Sequence, residues 1–116
     1  MDKPKVLIID WKDKPYYRKL EPYVDYKVSQ SLKESVNGID ALVFHAGLEK
    51  DEVYDIVQRS VAAEIPIIFY LERTGGWKDL MDLKYPKAKC YYAPQFIYLV
   101  ETIKELFNQR VPDRQQ

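Results

Sequence analysis

Apolar runs alternate with helix-like segments along the chain. Three of these runs are rich in aliphatic, β-branched or aromatic residues, which is typical of strands buried on both faces of a sheet. They are Val6–Asp10, Asp40–Phe44 and Ile65–Leu71. Residues 88–93 are predicted to form another strand. A fifth run, residues 25–30, is more polar and is predicted to lie towards an edge of the sheet.

Helical spacing predicts one helix after each strand. The clearest helix covers residues 48–64, where Val53, Ile56, Val57 and Val61 fall on one face and acidic residues crowd the first turn. The closing helix, residues 96–110, carries a second apolar stripe. Shorter helices are predicted at 15–23, where Pro22 ends or kinks the helix, at 31–38, between a Ser31 cap and Gly38, and at 77–83.

Buried strands that alternate with helices predict a parallel sheet with helices on both faces. Right-handed crossovers leave few arrangements, and the strand order 2-1-3-4-5 is favoured. We therefore predict a three-layer α/β/α, flavodoxin-like fold. The 116 residues suit one domain, which we place at residues 1–110, with a flexible tail at 111–116.

In such folds ligands bind outside the carboxyl ends of the strands, near the switch point between strands 1 and 3. The strand ends therefore predict a crevice in which several side chains meet. These residues are Asp10, Trp11, His45, Ala46, Leu71 and Ala93.

The charge balance and the cysteine count narrow the classes of function. Lys+Arg and Asp+Glu each number 18, which argues against a nucleic-acid binder because such proteins normally carry a basic excess. The N-terminal apolar run is too short for a signal peptide or a membrane span. The single cysteine, Cys90, cannot form an internal disulfide and is expected to pack in a strand. We expect a cytoplasmic protein that binds neither nucleic acid nor membrane.

Four local patterns, in order along the chain, resemble the receiver domain of two-component response regulators. The first strand and its helix-starting proline read VLIIDWKDKP, and the third strand reads DALVFH. The fourth strand reads IPIIFYLE, and the fifth, with its proline and a nearby phenylalanine, reads CYYAPQF. The resemblance covers about residues 5 to 110 and implies the same strand order.

The departures from the receiver pattern fall on its chemistry. Of the acid pair after strand one, Asp10 is kept and Trp11 stands in the next place, while His45 occupies the place of the phospho-accepting aspartate. The Thr/Ser place falls on Leu71, or on Tyr70 if the register differs by one, and the lysine place holds Ala93. Asp10 alone is a poor Mg²⁺ site, and the cation that stabilises a transferred phosphoryl group is missing. We predict a degenerate pseudo-receiver with no aspartyl-phosphate cycle, no metal and no cofactor.

Other interpretations of single features stay open. His45 is a candidate phosphohistidine, metal ligand or general base, or a half-buried histidine hydrogen-bonded at a strand end. Asp10 is a candidate ion or substrate ligand, or else caps a loop or pairs with a lysine. The stretch RTGGW, residues 73–77, is either an anion cradle or a flexible loop.

Tyrosine is abundant, with ten residues in the chain, and several lie near the predicted fourth helix, fifth strand and fifth helix. In receivers this face commonly makes dimer or output contacts, and tyrosine suits interfaces because it joins a large apolar ring to a polar tip. The candidate interface residues are Tyr85, Tyr91, Tyr92, Phe96 and Tyr98. Alternatively, several of them pack in the core. The favoured function is a phosphorylation-independent signalling module that binds a protein partner or itself through this face.

A second interpretation is a small enzyme of the same topology. Residues 44–70 are similar to parts of nucleoside deoxyribosyltransferase-like proteins and glycosyltransferases, in which a strand end and the following helix hold a nucleotide or sugar phosphate. Asp10, His45, Glu49 and Glu72 are then the candidate acid/base groups. A third possibility is a structural subunit without a ligand.

Overall fold

Five parallel strands form the centre of the molecule in a computed structural model of the chain, which describes residues 3–72 and 75–108. The strands lie in the order β2-β1-β3-β4-β5, so the predicted sheet and its 2-1-3-4-5 order are confirmed. Their bounds are Lys5–Ile9 (β1), Asp25–Ser29 (β2), Ala41–His45 (β3), Ile67–Tyr70 (β4) and Cys90–Ala93 (β5).

Four helices cover the two faces of the sheet in a flavodoxin-like, three-layer arrangement. They are a 3-10 helix at Pro15–Leu20 and the α-helices Lys50–Ala62 (α1), Gly76–Lys84 (α2) and Phe96–Asn108 (α3). None of the helices within the described ranges is long and apolar enough to cross a membrane. The predicted tail, 111–116, lies outside the described residues, as do Arg73 and Thr74 of the predicted loop.

Two of the predicted helices need correction. The first, predicted at 15–23, is a six-residue 3-10 helix that ends at Leu20, two residues before Pro22. The second, predicted at 31–38, does not form, and the chain runs through turns from β2 to β3. Serine side chains explain the difference, because the hydroxyls of Ser29, Ser31 and Ser35 each accept a hydrogen bond from a backbone N–H two residues ahead. Such local bonds compete with the helical ladder.

The irregular segment between β2 and β3 is fastened by a side chain from α1. Arg59 donates from Nη1 to the carbonyl oxygen of Glu34 (2.8 Å) and from Nη2 to that of Leu32 (2.9 Å). Its Nε donates to the Asp55 carboxylate (2.9 Å), which fixes the guanidinium plane. Backbone carbonyls that a local helix would have bonded are thus bonded by an arginine of α1.

Successive side chains of the strands point to opposite faces and build two cores. On one face, strand residues pack against the 3-10 helix and α3, which contribute Tyr17, Leu20, Leu99 and Ile103. On the other face they pack against α1 and α2, which contribute Val53, Ile56, Val57, Trp77 and Met81. Because β1, β3 and β4 are covered on both sides, they read as continuous apolar runs in the sequence.

Candidate functional site

The carboxyl ends of β1, β3, β4 and β5 lie side by side at one end of the sheet. Asp10 follows β1, His45 ends β3 and Ala93 ends β5. The ladder continues past the strand ends, since Ala46 N–H donates to Tyr70 O and Leu71 N–H donates to Ala93 O, both at 2.7 Å. The residues that the resemblance placed at the phosphoryl-transfer positions therefore lie close together at this end of the sheet.

Asp10 is a fully buried carboxylate with two side-chain donors on one oxygen. Its Oδ2 accepts a hydrogen bond from Lys14 Nζ and another from the Tyr17 hydroxyl, each at 2.7 Å. Its Oδ1 is buried and makes no hydrogen bond within the described part of the chain. Burial alone raises the pKa of Asp10, but the bonds from Lys14 and Tyr17 outweigh it, so the pKa lies below its ordinary value. Asp10 is accordingly ionised at neutral pH.

The loop after β1 delivers both partners of Asp10. Lys14 immediately precedes the 3-10 helix and Tyr17 lies within it, with Pro15 fixing the first helical position. The side chain of Lys14 is 17% exposed, whereas Tyr17 is fully buried. Burial and the Asp10 carboxylate raise the pKa of Tyr17 far above its ordinary value, so its hydroxyl remains a donor. The predicted alternative in which Asp10 pairs with a lysine matches this geometry.

His45 differs from Asp10 in its partners and its exposure. Its Nδ1 accepts a hydrogen bond from the backbone N–H of Gly47 (3.0 Å), so the neutral ring carries its proton on Nε2. The ring lies against half-exposed Trp11, with centroids 4.6 Å apart. Burial lowers the pKa of His45, Lys14 lowers it further, and Asp10 partly opposes the shift. The imidazole is therefore mostly neutral at pH 7.

The contact between His45 and the following turn depends on a glycine. A Cβ atom at position 47 would lie 3.0 Å from Nδ1 and Cε1 of the His45 ring and 3.5 Å from the Trp11 ring. The missing side chain allows the backbone amide to approach the imidazole closely. Gly47 is thus part of what fixes the orientation of the ring.

Leu71 and Ala93 place apolar groups where the receiver pattern has a hydroxyl and an ammonium. Leu71 takes a φ of 66°, a left-handed conformation that is uncommon for a residue other than glycine. Ala93 is fully buried beneath α3 in the core that contains Tyr17. Neither side chain carries a group that can bind a phosphoryl oxygen.

The donor set at the strand ends does not fit Mg²⁺. This ion takes oxygen ligands in octahedral geometry, and Asp10 is the single carboxylate of the Asp10, Trp11 and His45 set. The Lys14 ammonium already occupies the accepting side of its Oδ2. Within residues 3–72 and 75–108, no group of three or more His, Cys, Asp or Glu residues is arranged to hold a metal ion.

A small cavity of about 170 Å³ opens beside Trp11, between the end of β1 and the start of α1. Its walls include Ile9, Leu48, Val53 and Glu52. Pockets that hold nucleotide-sized ligands are typically about 300–1,000 Å³. This cavity is therefore smaller than a site for such a ligand.

The two glutamates among the candidate acid/base groups differ in exposure and in hydrogen bonding. Glu49 is exposed and immediately precedes α1, without a side-chain bond to the helix amides. Glu72 is buried, and its Oε2 accepts a hydrogen bond from the backbone N–H of Trp77 (3.2 Å). Glu72 thus stabilises the first turn of α2 by the bond that a capping residue would make.

The five aromatic residues predicted for an interface occupy different environments. Tyr92 stacks on Phe69, with ring centroids 5.0 Å apart, and Phe96 packs against Tyr16 at 4.7 Å. These rings are half-buried on opposite faces of the sheet. Tyr98 lies on α3 with 52% of its surface exposed. Of these three residues, Tyr98 offers the most surface to a partner.

The remaining two aromatic residues lie on opposite faces. The Tyr85 hydroxyl accepts hydrogen bonds from the Tyr54 hydroxyl (3.1 Å) and from Gln58 Nε2 (3.2 Å), which joins the end of α2 to α1. Tyr91 is half-buried against the core under α3. Contacts within the molecule therefore bury much of the side-chain surface of the five aromatic residues predicted for an interface.

Sequence reasoning did not assign Lys14 and Tyr17 to the site. They lie four and seven residues after Asp10, on the loop after β1 and on the 3-10 helix that follows it. The signal was present, but a lysine and a tyrosine in a polar loop are not distinctive. Burial of Asp10 is what makes these two residues important.

Searches against protein-family models, curated proteins and solved structures found no match to this chain. The fold therefore rests on the strand order and the layers described above. The resemblance to receiver domains rests on the four local patterns and on the positions of Asp10 and His45 at adjacent strand ends.

Proposed function

We propose that this chain is a receiver-like interaction module that works without phosphorylation. The observation that carries the proposal is the buried Asp10, whose carboxylate pairs with the Lys14 ammonium and accepts a hydrogen bond from the Tyr17 hydroxyl, each at 2.7 Å. A carboxylate committed in this way is a poor metal ligand and a poor nucleophile, because either role would require the ion pair to break. The scaffold is kept, and the charge that served chemistry in receivers serves stability here.

Exposed apolar side chains support the interaction part of the proposal. Four large apolar side chains are exposed in the described part of the chain, and three of them, Leu83, Ile97 and Tyr98, lie on α2 and α3. The face predicted for a protein partner or for self-association includes α3, which packs against β5. Exposed apolar surface of this kind is available for burial against a protein partner.

The small-enzyme alternative has weaker support. The cavity at the strand ends measures about 170 Å³, and Glu72 is engaged by the amide of Trp77. Asp10 and His45 lie at adjacent strand ends, but Oδ2 of Asp10 is already held by Lys14 at 2.7 Å. We therefore do not extend the proposal to catalysis.

The proposal is tested with a small phosphodonor. The chain is incubated with acetyl phosphate and Mg²⁺, and its intact mass and sedimentation coefficient are measured before and after. We expect both to stay unchanged, because Lys14 is engaged by Asp10 and the lysine place of the receiver pattern holds Ala93.

Asp10→Asn and His45→Gln serve as matched controls in the same experiment. A gain of one phosphoryl mass in the wild-type chain that either substitution abolishes contradicts the proposal. A gain that survives both substitutions lies elsewhere in the chain and contradicts only the statement that the module works without phosphorylation.

A further inference from the structure

The two edges of the sheet differ in chemistry. The strand at one edge, β2, carries Asp25 and Lys27 within its five residues. The strand at the other edge, β5, runs Cys90–Ala93 without a charged residue. Edge strands expose unpaired backbone groups, and proteins commonly protect them from other chains with charged residues. By this criterion β2 is protected and β5 is open to pairing.

The register of β5 tells which of its backbone groups are unpaired. The carbonyl oxygens of Lys89 and Ala93 accept hydrogen bonds from β4 and the residue that follows it, at 2.9 Å and 2.7 Å. Since alternate residues of a parallel strand face the same neighbour, Tyr91 also faces β4. The N–H and C=O groups of Cys90 and Tyr92 therefore point away from the sheet.

Exposed apolar side chains lie on the two helices that precede and follow β5 in the chain. Leu83 on α2 is 78% exposed and Ile97 on α3 is 62% exposed. Cys90, Tyr91 and Tyr92 are each half-buried within the strand itself. Backbone pairing at β5 would thus be accompanied by burial of apolar surface on each side.

From these features we infer that β5 pairs with β5 of a second copy of this chain, antiparallel and centred on Tyr91. In that register Cys90 of each copy lies opposite Tyr92 of the other, and the four outward N–H groups meet four outward C=O groups. Two five-stranded sheets become one continuous sheet. The inference rests on the proposed function, for which it names the partner.

Self-complementarity favours a second copy over a foreign strand. A two-fold axis through Tyr91 satisfies every outward group of Cys90 and Tyr92 without a sequence from elsewhere. Charge favours the antiparallel direction, because Lys87 and Lys89 lie just before the strand. Antiparallel pairing places the lysines of the two copies at opposite ends, whereas parallel pairing places them side by side.

Hydrogen exchange of single amides tests this arrangement. Exchange rates are measured by NMR at a low and a high protein concentration, alongside sedimentation equilibrium. We expect a concentration-dependent dimer in which the amides of Cys90 and Tyr92 slow by about tenfold or more. The amides of Tyr91 and Ala93, already bonded to β4, should change far less, and so should those of the β2 edge.

A proline substitution supplies the matched pair of variants. Cys90→Pro removes one outward N–H without touching the bonds to β4, as proline permits on an edge strand. Cys90→Val changes the same side chain and keeps the N–H. We expect Cys90→Pro to raise the dimer dissociation constant about tenfold or more, since two symmetric bonds are lost, and Cys90→Val to change it by less than about threefold.

Circular dichroism melting first establishes that each variant is folded. If Cys90→Pro does not fold, the amide-exchange pattern of the wild-type chain decides alone.

A monomer at all concentrations overturns the inference, as does a dimer in which the amides of Cys90 and Tyr92 keep their monomer exchange rates. The second result locates the contact on α2 or α3 and leaves the interaction module intact. Phosphorylation in the acetyl phosphate experiment instead overturns the proposed function and leaves the pairing standing.

Discussion

Asp10 and His45 sit at the ends of adjacent strands, yet the fold treats them in opposite ways. Asp10 is fully buried, ionised and bonded by Lys14 and Tyr17. His45 is half-buried, neutral, bonded by the backbone of Gly47 and covered by half-exposed Trp11. The first residue is a buried charge paired within the molecule, and the second is a neutral imidazole whose pKa is lowered by burial.

The difference shows how two neighbouring strand ends can hold ionisable side chains in different ways. A buried carboxylate requires a cation or hydrogen bonds, and here Lys14 and Tyr17 supply them from within the molecule. A half-buried imidazole has no such requirement and remains neutral by desolvation. The contrast predicts distinct responses to substitution and to pH.

The largest effect should follow from removal of the Asp10 cation. We expect Lys14→Met to lower the free energy of unfolding at pH 7 by about 2 kcal/mol. This is less than the loss for an ion pair whose two side chains are both fully buried, because Lys14 is partly exposed. Urea denaturation at pH 7 and at pH 3 measures the loss.

The pH dependence of this loss identifies its cause. The lowered pKa of Asp10 contributes stability above the pKa of the unfolded state, near 4, and this is lost as pH falls through the folded pKa. In Lys14→Met the carboxylate is buried without its cation, its pKa rises, and its charge destabilises the fold at pH 7. The difference between the two chains should therefore shrink towards pH 3. Equal losses at both pH values would contradict the ion-pair explanation, and the double variant Asp10→Asn/Lys14→Met should recover part of the loss.

A smaller effect should follow from removal of the second donor. Tyr17→Phe deletes a hydroxyl bonded to a charged acceptor and should cost about 1.5 kcal/mol, because the Lys14 bond remains. It should also raise the pKa of Asp10, which a ¹³C titration of the carboxyl group would detect. Tyr16→Phe is the control, since the Tyr16 hydroxyl accepts from Tyr70 and does not touch Asp10. A similar shift in both variants would contradict a specific role for Tyr17.

The smallest effect concerns His45. Its lowered pKa means that the unfolded chain binds the proton more readily, so its contribution to stability is present above about pH 6.5 and is lost as pH falls through the folded pKa. We expect wild-type stability to fall by under about 1 kcal/mol between pH 7.5 and 5.5, and His45→Gln to lack this component. Because the chain has one histidine, its ring signals can be titrated by NMR without ambiguity. A measured pKa at or above 6.5 would contradict the burial argument.

Much of the fold could be predicted from the sequence because buried parallel strands are read directly as apolar runs. The predicted run Val6–Asp10 is displaced by one residue from β1, Lys5–Ile9, and the run Ile65–Leu71 contains β4, Ile67–Tyr70. The segment 31–38 could not be predicted this way, since the choice between a helix and turns depended on how its serine hydroxyls paired. Local propensity did not determine that choice.

The candidate site was less predictable than the fold. Topology placed Asp10 and His45 at one edge of the sheet, and the strand pairing agrees. The roles of Lys14 and Tyr17 depended on a 3-10 helix that turns both side chains towards Asp10, and on burial that makes the pairing necessary. Neither the direction of a side chain nor its exposure can be read from a single sequence.

Arg59 links the order of two segments that lie far apart in the chain. The backbone carbonyls of Leu32 and Glu34 accept hydrogen bonds from a side chain of α1, so the conformation of this crossover depends on the position of α1. In the native ensemble, fraying of the last turns of α1 would release the crossover as well. The two therefore form one cooperative opening unit, in which a proteolytic cut near residue 33 reports on a helix 25 residues away.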